Sequence, residues 1–268
     1  MAHFGASERA ISSTPVRRAP RLSIVIPAYN EARRLPRTLM RLHAYLREQA
    51  YRWEIIVVAN ACTDSTEEIV RECVPHMPGL QLISLTGRGK GLAVRAGAIR
   101  SWGDVVFICD ADLSMPPEAL EEFLLAVESA DVVVGSREAN GARRYSEPWH
   151  RHLMGRIFNY LVQVLAVRGI MDTQAGFKAF RRGAADHLFG QQFVTGWGFD
   201  VELLFLARKF GYSITEVPIE WHFDADSRVR PGVDTLNMVT EVIMIRLRDA
   251  LHRYHGPSVR EQGANRGR

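Results

Sequence analysis

The stretch Val105-Val106-Phe107-Ile108-Cys109-Asp110-Ala111-Asp112 decides the fold class of this 268-residue chain. Its apolar run predicts a buried strand, and two carboxylates follow where the strand ends. Open α/β sheets bind their ligands at the carboxyl ends of parallel strands. A carboxylate pair there can hold a hard divalent cation whose shell is completed by substrate phosphates. A plainer alternative is that Ser114 caps a helix and leaves both carboxylates free.

Apolar runs alternate with helical periodicity on both sides of this stretch. Leu35, Leu39, Leu42 and Leu46 recur at spacings of four, three and four, which predicts one apolar face of a helix. Further strands are predicted at 22–26, 54–58, 80–85 and 131–134, and further helices at 91–99 and 118–127. This β-α-β-α order predicts an α/β protein with a mostly parallel sheet flanked by helices.

The second half of the chain is less regular. We predict helices at 149–167, 200–210 and 233–252 and strands at 177–180 and 212–217. Residues 1–20 and 256–268 are polar and are predicted to be disordered. The expected organisation is one catalytic domain over 21–231, followed at 232–255 by an amphipathic helix that packs on or beside it.

Composition limits the class of protein. Hydrophobic residues make up 47% and charged residues 24% of the chain, which is typical of a soluble globular protein. The longest charge-free apolar run, 157–167, is too short to span a bilayer, so any membrane contact is expected to be peripheral. No secretory leader is visible, and Cys62, Cys73 and Cys109 lack metal-ligand spacing. These features predict a cytoplasmic protein with reduced thiols.

The charge is unevenly distributed. The net charge is +4, but residues 137–182 carry nine Arg or Lys against three Asp or Glu. Such a stretch attracts anions, including phosphates, nucleic acid and anionic lipid. Because it contains no nucleic-acid recognition motif, no nucleic-acid partner is expected.

Three loops that follow predicted strands carry residues suited to a nucleotide. Tyr29 can pack on a base or ribose, and Asn60 offers both a donor and an acceptor to a base edge. In the stretch 87–91, Gly-Arg-Gly-Lys-Gly, the glycines let the backbone approach a diphosphate closely. Neither the dinucleotide-binding glycine motif nor a Walker P-loop is present. A tight turn or a flexible surface loop explains each segment equally well when it is taken alone.

Taken together, these segments resemble a known family. Residues 23–31 (SIVIPAYNE), Gly89-Lys90-Gly91 and Asp110-Ala111-Asp112 resemble the family 2 glycosyltransferases of the GT-A fold. The stretches 172–178 (DTQAGFK), 198–204 (GFDVELL) and 217–221 (VPIEW) are similar to the polyprenyl-phosphate sugar transferases, above all the dolichyl-phosphate β-glucosyltransferases. The resemblance covers residues 22–230.

The resemblance implies a role for each matching residue. Asp110 and Asp112 would be catalytic and would hold Mg²⁺ or Mn²⁺, with Asp112 in direct contact. Asp200 and Glu202 would be catalytic residues beside the acceptor, either serving as general base for a hydroxyl acceptor. The nucleotide sugar would be bound by Pro27, Tyr29, Glu31, Asn60, Lys90 and Asp110. The acceptor or the phosphates would be bound by Arg137, Gln174, Lys178, Arg228 and Arg230. His222 is left out of the metal ligands, because a histidine on a strand end is more often structural.

The resemblance therefore implies an inverting glycosyltransferase. UDP-glucose is the favoured donor, with GDP-mannose second, and the acceptor is a polyprenyl or dolichyl phosphate at the inner face of the membrane. The first alternative keeps this donor chemistry but uses a soluble hydroxyl or phosphorylated metabolite as acceptor. The second is a nucleotide-binding protein without catalysis, because Ala59 and Asn60 stand where many members carry Asp.

Overall fold

The computed structural model describes residues 19–223 and 233–256. The strands are β1 (Leu22–Ala28), β2 (Trp53–Asn60), β3 (Leu80–Leu85), β4 (Val105–Ile108), β5 (Val132–Ser136), β6 (Arg143–Tyr145), β7 (Lys178–Arg181), β8 (Ile214–Pro218) and β9 (Glu220–His222). The helices are α1 (Leu35–Leu46), α2 (Thr66–Cys73), α3 (Lys90–Arg100), α4 (Leu120–Ala126), α5 (Trp149–Leu165), α6 (Arg182–Gln191), α7 (Phe199–Lys209) and α8 (Val233–Ala250).

The sheet has seven strands in the order β3-β2-β1-β4-β7-β5-β8. Strands β1 to β4 pair in parallel, and β5 pairs in parallel with β8. Strand β7 is antiparallel to both neighbours, β4 and β5. Strands β6 and β9 form a separate two-stranded ribbon. The predicted fold class, a mostly parallel sheet flanked by helices, is confirmed.

The hydrophobic core lies on both faces of the sheet because successive strand side chains point to opposite sides. In β1, Ile24 and Ile26 pack on the face covered by α1 and α4, whereas Val25 packs on the face covered by α3 and α7. Helix α8 joins the second face through Met238, Val242 and Ile245. The C-terminal helix thus contributes side chains to the main core.

Some local predictions were wrong. Ser114 does not cap a helix, because a short 3₁₀ turn precedes α4 and its N-cap is Pro116. Strand β6 and helix α6 were not predicted from the sequence. Strand β6 has three residues, two of them Arg, and α6 contains two glycines that weaken its helical signal.

The predicted terminal segments, 1–20 and 256–268, lie almost wholly outside the described residues. Among the helices that the structure describes, none combines the length and the apolar character that crossing a membrane requires.

Candidate active site

A cavity of about 350 Å³ opens at the edge of the sheet where β4 and β5 end. Because β7 is antiparallel, the loop that leads into it lies at this same edge and supplies Gln174 and Gly176. Helices α5 and α8 line the rest of it with Met154, Phe158 and Met238 and with the polar side chains of His152, Arg156 and Asn159. The cavity therefore has a polar end at the strand termini and a mixed apolar and polar wall made by two helices.

The polar end is built around Asp110, Asp112 and Lys90. The Lys90 ammonium lies 2.7 Å from Oδ1 of Asp110. Burial alone would lower the pKa of Lys90, but Asp110, Asp200 and Asp112 together raise it above its ordinary value. Burial, reinforced by the charge of Asp110, raises the pKa of Asp112 to about 6. Lys90 is thus a firmly charged cation, whereas Asp112 is a carboxylate whose negative charge is poorly compensated.

Gly176 lets the carboxylate of Asp110 lie directly against the backbone. A Cβ atom built on Gly176 would be 1.9 Å from Oδ2 and 2.5 Å from Cγ of Asp110. Such a distance is far inside van der Waals contact, so any side chain at this position would displace the carboxylate.

The arginine that the sequence assigned to the phosphates lies on the cavity wall but is already paired. Arg137 contacts Asp172 through Nε at 2.7 Å and Nη2 at 2.9 Å, and its backbone N–H donates to the same carboxylate. The guanidinium also lies 5.1 Å from the ring centre of Trp221. Burial opposes ionisation of Asp172, but Arg137 lowers the pKa of its carboxyl to about 2. Arg137 is therefore fixed in place before any ligand binds.

Asp200 and Lys178 form a buried ion pair. The Lys178 ammonium is 2.7 Å from Asp200 Oδ1 and donates to the carbonyl of Ala175 at 2.6 Å. Its side chain is only 1% exposed, and Lys178 is not on the cavity wall, whereas Asp200 is. This lysine neutralises and positions Asp200, and its direct contact with phosphate or acceptor stays a prediction.

Glu202 does not line the cavity. Its carboxylate is fully buried and accepts from the backbone N–H groups of Phe193 and Val194 and from the hydroxyl of Tyr254. Asp200 and Glu202 are two residues apart on one helix and therefore point in different directions. A catalytic role for Glu202 stays a prediction. Glu202 holds the loop that precedes α7.

Asn60 also has a structural role that the sequence did not reveal. Its side-chain nitrogen donates to the Ala28 carbonyl at 2.9 Å, and its side-chain oxygen accepts from the Gly89 N–H at 3.2 Å. The side chain is 3% exposed. It therefore ties the end of β1 to the glycine turn, and its contact with a base edge stays a prediction.

The remaining predicted donor residues do not line this cavity. Pro27 is buried within β1. Glu31 is 5% exposed and pairs with Arg34 at 2.6 Å. The ring of Tyr29 lies 4.4 Å below the guanidinium of Arg88, next to the glycine turn. A donor-binding role for these three residues stays a prediction, and Tyr29 is the best placed of them.

Two of the predicted phosphate-binding residues, Arg228 and Arg230, lie outside the described residues. His222 stacks on Tyr145 with ring centres 4.6 Å apart, and its backbone N–H donates to the Ser114 carbonyl. These contacts support leaving it out of the metal ligands.

The charges on the described cavity wall fit a divalent cation. The wall carries six carboxylates against four Lys or Arg side chains, and each of those four is paired with a carboxylate. In the part of the chain that the structure describes, no three His, Cys, Asp or Glu side chains converge as a complete metal site. One or two carboxylates with substrate phosphates is the usual arrangement for Mg²⁺, and Asp110 and Asp112 can supply it.

Comparison with known proteins agrees with this geometry. A profile described as glycosyl transferase family 2 matches residues 23–189. The chain belongs to glycosyl transferase family 2. The family and the class of enzyme expected from the motifs are thereby confirmed.

Relatives within family 2 include dolichyl-phosphate beta-glucosyltransferase ALG5C of Trichomonas vaginalis. It is 37% identical over 221 residues, which are 78% of this chain and 66% of that protein. This chain thus spans slightly less than two thirds of that relative. The dolichyl-phosphate beta-glucosyltransferase of Homo sapiens is 35% identical over 247 residues, covering 85% of this chain and 75% of that protein.

Solved structures of low sequence identity share the family 2 fold. Glucosyl-3-phosphoglycerate synthase from Mycobacterium tuberculosis, in complex with phosphoglyceric acid, matches with a TM-score of 0.61 at 19% identity, over 84% of this chain and 80% of that chain. Its complex with Mn²⁺, UDP-glucose and phosphoglyceric acid matches with a TM-score of 0.60 at 22% identity, over 90% of this chain and 81% of that chain.

Several residues of this region escaped the sequence reasoning. Trp197 and Met238 line the cavity, and Glu241 and Tyr254 support the loop beside it. The Gly-Trp-Gly stretch at 196–198 was the only local signal, because functional residues are often found on loops. Nothing local marks Glu241 or Tyr254, whose partners are 43 and 52 residues away.

Proposed function

We propose that this chain transfers glucose from UDP-glucose to a polyprenyl or dolichyl phosphate with inversion at the sugar. The observation that carries the proposal is the cavity itself. Lys90, Asp110 and Asp112 line it together with Met154, Phe158 and Met238, which α5 and α8 supply among polar side chains. A diphosphate suits the lysine and the carboxylates, and the isoprenoid part of a lipid phosphate suits the apolar side chains. The names of the relatives support the glucosyl group and the dolichyl-phosphate acceptor.

The donor assignment rests on solved complexes of a structural neighbour. Complexes of the structural neighbour with UDP and UDP-glucose make UDP the first nucleotide to test, and GDP-mannose is second. Mn²⁺ and Mg²⁺ both occur in those complexes. In this chain, Asp110 and Asp112 would hold the ion, which when bound would neutralise charge on the departing diphosphate.

The residues of the chain account for a single displacement. An oxygen of the acceptor phosphate bonds to the anomeric carbon while the bond from that carbon to the diphosphate oxygen breaks, so the configuration inverts. Lys90 stabilises the charge that develops on the leaving diphosphate, because it is a preorganised, mostly buried cation held by Asp110. Asp110 keeps Lys90 in place, and Arg137 is held rigidly by Asp172 near the acceptor.

The state of the two carboxylates on α7 favours a phosphate acceptor over a hydroxyl. A hydroxyl needs a general base, whereas a phosphate is already an anionic nucleophile. Asp200 is neutralised by Lys178, and Glu202 is bound to two backbone N–H groups and a hydroxyl. Both candidate bases are therefore engaged in structural contacts.

Incubation with UDP-[¹⁴C]glucose, Mn²⁺ and a polyprenyl phosphate tests the proposal. We expect label to partition into organic solvent and to stay aqueous with the Asp112→Ala variant. Label transferred only to a soluble phosphorylated metabolite or sugar would refute the lipid acceptor. Absence of transfer and of sugar release with either UDP-glucose or GDP-mannose would instead support a non-catalytic nucleotide-binding protein.

We further propose that the enzyme works at a membrane surface on the cytoplasmic side. The outer face of α5 carries Trp149, Leu153, Ile157, Tyr160 and Val164, between 50% and 76% exposed, at spacings of four, four, three and four. The helix contains no Asp or Glu, and Met154 on it also lines the cavity. An apolar helix face with aromatic residues and basic charge is typical of an interfacial helix. All three cysteines are free, consistent with a reducing compartment.

Two exposed tryptophans provide a matched test of this surface. Trp149 is 76% exposed on α5, and Trp102 is 74% exposed in the turn after α3. We expect Trp149→Ala to weaken co-flotation with phosphatidylserine-containing vesicles about tenfold, from the loss of buried apolar area. Trp102→Ala should bind as the wild type does. Equal flotation of both variants would refute α5 as the contact surface.

A further inference from the structure

The loop of residues 192–198, here called the clamp loop, forms part of the N-terminal cap of α3. The N–H of Gly91 donates to the Gly196 carbonyl at 3.2 Å, and the N–H of Leu92 donates to the Thr195 carbonyl at 3.1 Å. The first N–H groups of a helix have no partner within the helix, so they need an external acceptor. The clamp loop supplies it at the helical turn that begins with Lys90.

The fit between the two segments is close. A Cβ atom on Gly91 would be 2.6 Å from the carbonyl oxygen of Val194, and one on Gly89 would be 2.4 Å from that of Thr195. The Lys90 ammonium, which pairs with Asp110, also lies 5.1 Å from the ring centre of Trp197. The clamp loop therefore contacts Lys90 through both its backbone neighbours and its side chain.

The C-terminal part of the chain holds the clamp loop from the other side. Glu241 on α8 accepts from the Gly198 N–H at 2.7 Å. The Tyr254 hydroxyl, just after α8, donates to Glu202 at 2.7 Å, and Glu202 accepts in turn from the N–H groups of Phe193 and Val194. Two carboxylates and one buried tyrosine thus fix both ends of the loop.

We propose that Glu241 and Tyr254 are positioning residues that set the location of Lys90 through the clamp loop. The C-terminal helix α8 and the residue Tyr254 that follows it would then help to position the donor-binding residue Lys90. The proposal rests on the proposed function only in taking Lys90 to face the donor diphosphate. A purely structural role would instead lower the stability of the chain without a specific effect on Lys90.

Amide hydrogen exchange, which needs no ligand, tests whether Tyr254 stabilises the helical turn at Lys90 through the clamp loop. Tyr254→Phe keeps the buried ring and removes only the hydrogen bond to Glu202. Tyr51→Phe is the matched control, because it removes a hydrogen bond of the same length, 2.7 Å, to Glu121 on α4. A lost hydrogen bond to a carboxylate should raise exchange about tenfold at Val194, Gly91 and Leu92 in Tyr254→Phe. Wild-type protection of Gly91 and Leu92 in that variant would overturn the proposal.

A double-mutant cycle tests the link to Lys90 itself. Binding of UDP with Mn²⁺ is measured calorimetrically for Glu241→Ala, Lys90→Gln and the double variant, with Thr240→Ala on the exposed side of α8 as control. We expect Glu241→Ala to weaken binding about tenfold alone but less than twofold in the Lys90→Gln background, because coupled residues are not additive. Full additivity would overturn the positioning role.

The two experiments separate this inference from the proposed function. If the wild-type protein binds neither UDP nor GDP, the donor assignment fails, while hydrogen exchange still decides whether the C-terminal residues control the turn at Lys90. If UDP binds but the cycle is additive, the donor assignment stands and the positioning role fails.

Discussion

Replacing Gly176 with alanine is the sharpest test of the Asp110 carboxylate. The new Cβ would lie 1.9 Å from Oδ2 of Asp110, and ordinary contact begins at 3.4 Å. The carboxylate must therefore move by about 1.5 Å. The clash involves the end of a side chain rather than backbone, so the free energy of unfolding should change little. A misplacement of about 1 Å in a catalytic constellation can cost about 100-fold in rate, and we expect a loss of that order in kcat/KM.

The assay compares steady-state glucosyl transfer and calorimetric Mn²⁺ binding for Gly176→Ala and Gly183→Ala. Gly183 is the matched control, since it lies in α6 with nothing within 4 Å of its Cβ position. Alanine there should leave activity unchanged and stabilise the helix by about 1 kcal/mol at most. Both variants should unfold at urea concentrations close to that of the wild type.

A third variant ties the effect to the carboxylate. In an Asp110→Ala background the clash disappears, so Gly176→Ala should cause little further loss of activity. Wild-type kcat/KM for Gly176→Ala alone would refute the reasoning, since it would mean that the position of the Asp110 carboxylate does not matter. A large fall in stability with no loss of Mn²⁺ affinity would refute it equally.

Three further predictions follow from the charges and hydrogen bonds of the site. Burial and Asp110 raise the pKa of Asp112 to about 6, so its carboxylate is protonated below that pH. Mn²⁺ affinity, measured by calorimetry, should therefore fall about tenfold for each pH unit below about 6. The Asp112→Asn variant should lose this pH dependence. The pKa of Asp172 is lowered to about 2 from 3.8, so its ion pair stabilises the fold above pH 3.8 and the effect disappears as the pH falls through 2. Asp172→Asn should cost about 3 kcal/mol of unfolding free energy at pH 7, against less than about 1 kcal/mol for Asp186→Asn in a solvent-exposed pair. Asn60→Asp should lower the free energy of unfolding in urea by about 1–3 kcal/mol, because a carboxylate would face the Ala28 carbonyl. Unchanged stability would show that Asn60 is free to contact a nucleotide.

Local sequence was sufficient for the elements that bury a continuous apolar run or stripe. The run ending at Ile108 is β4, and the leucine stripe from Leu35 to Leu46 is α1. Local sequence was not sufficient for polar side chains whose hydrogen-bond partners are distant in the sequence. Asp200 and Glu202 look alike in the sequence, yet only Asp200 reaches the cavity wall. Side chains two residues apart on a helix point in different directions.

The sequence by itself determined the parallel sheet, the placement of Asp110 and Asp112 at a strand end, and membership of family 2. The first two depend on short-range periodicity and on residues within one loop, and the third depends on short motifs that are each local, in a fixed order along the chain. Only the tertiary structure decided that Lys178 pairs with Asp200, that Asn60 ties the end of β1 to the glycine turn, and that Glu241 of the C-terminal helix binds the Gly198 N–H. Those contacts are hydrogen bonds and ion pairs between buried polar groups that lie far apart in the sequence. Every such group must be satisfied on burial, but local sequence does not say by which partner.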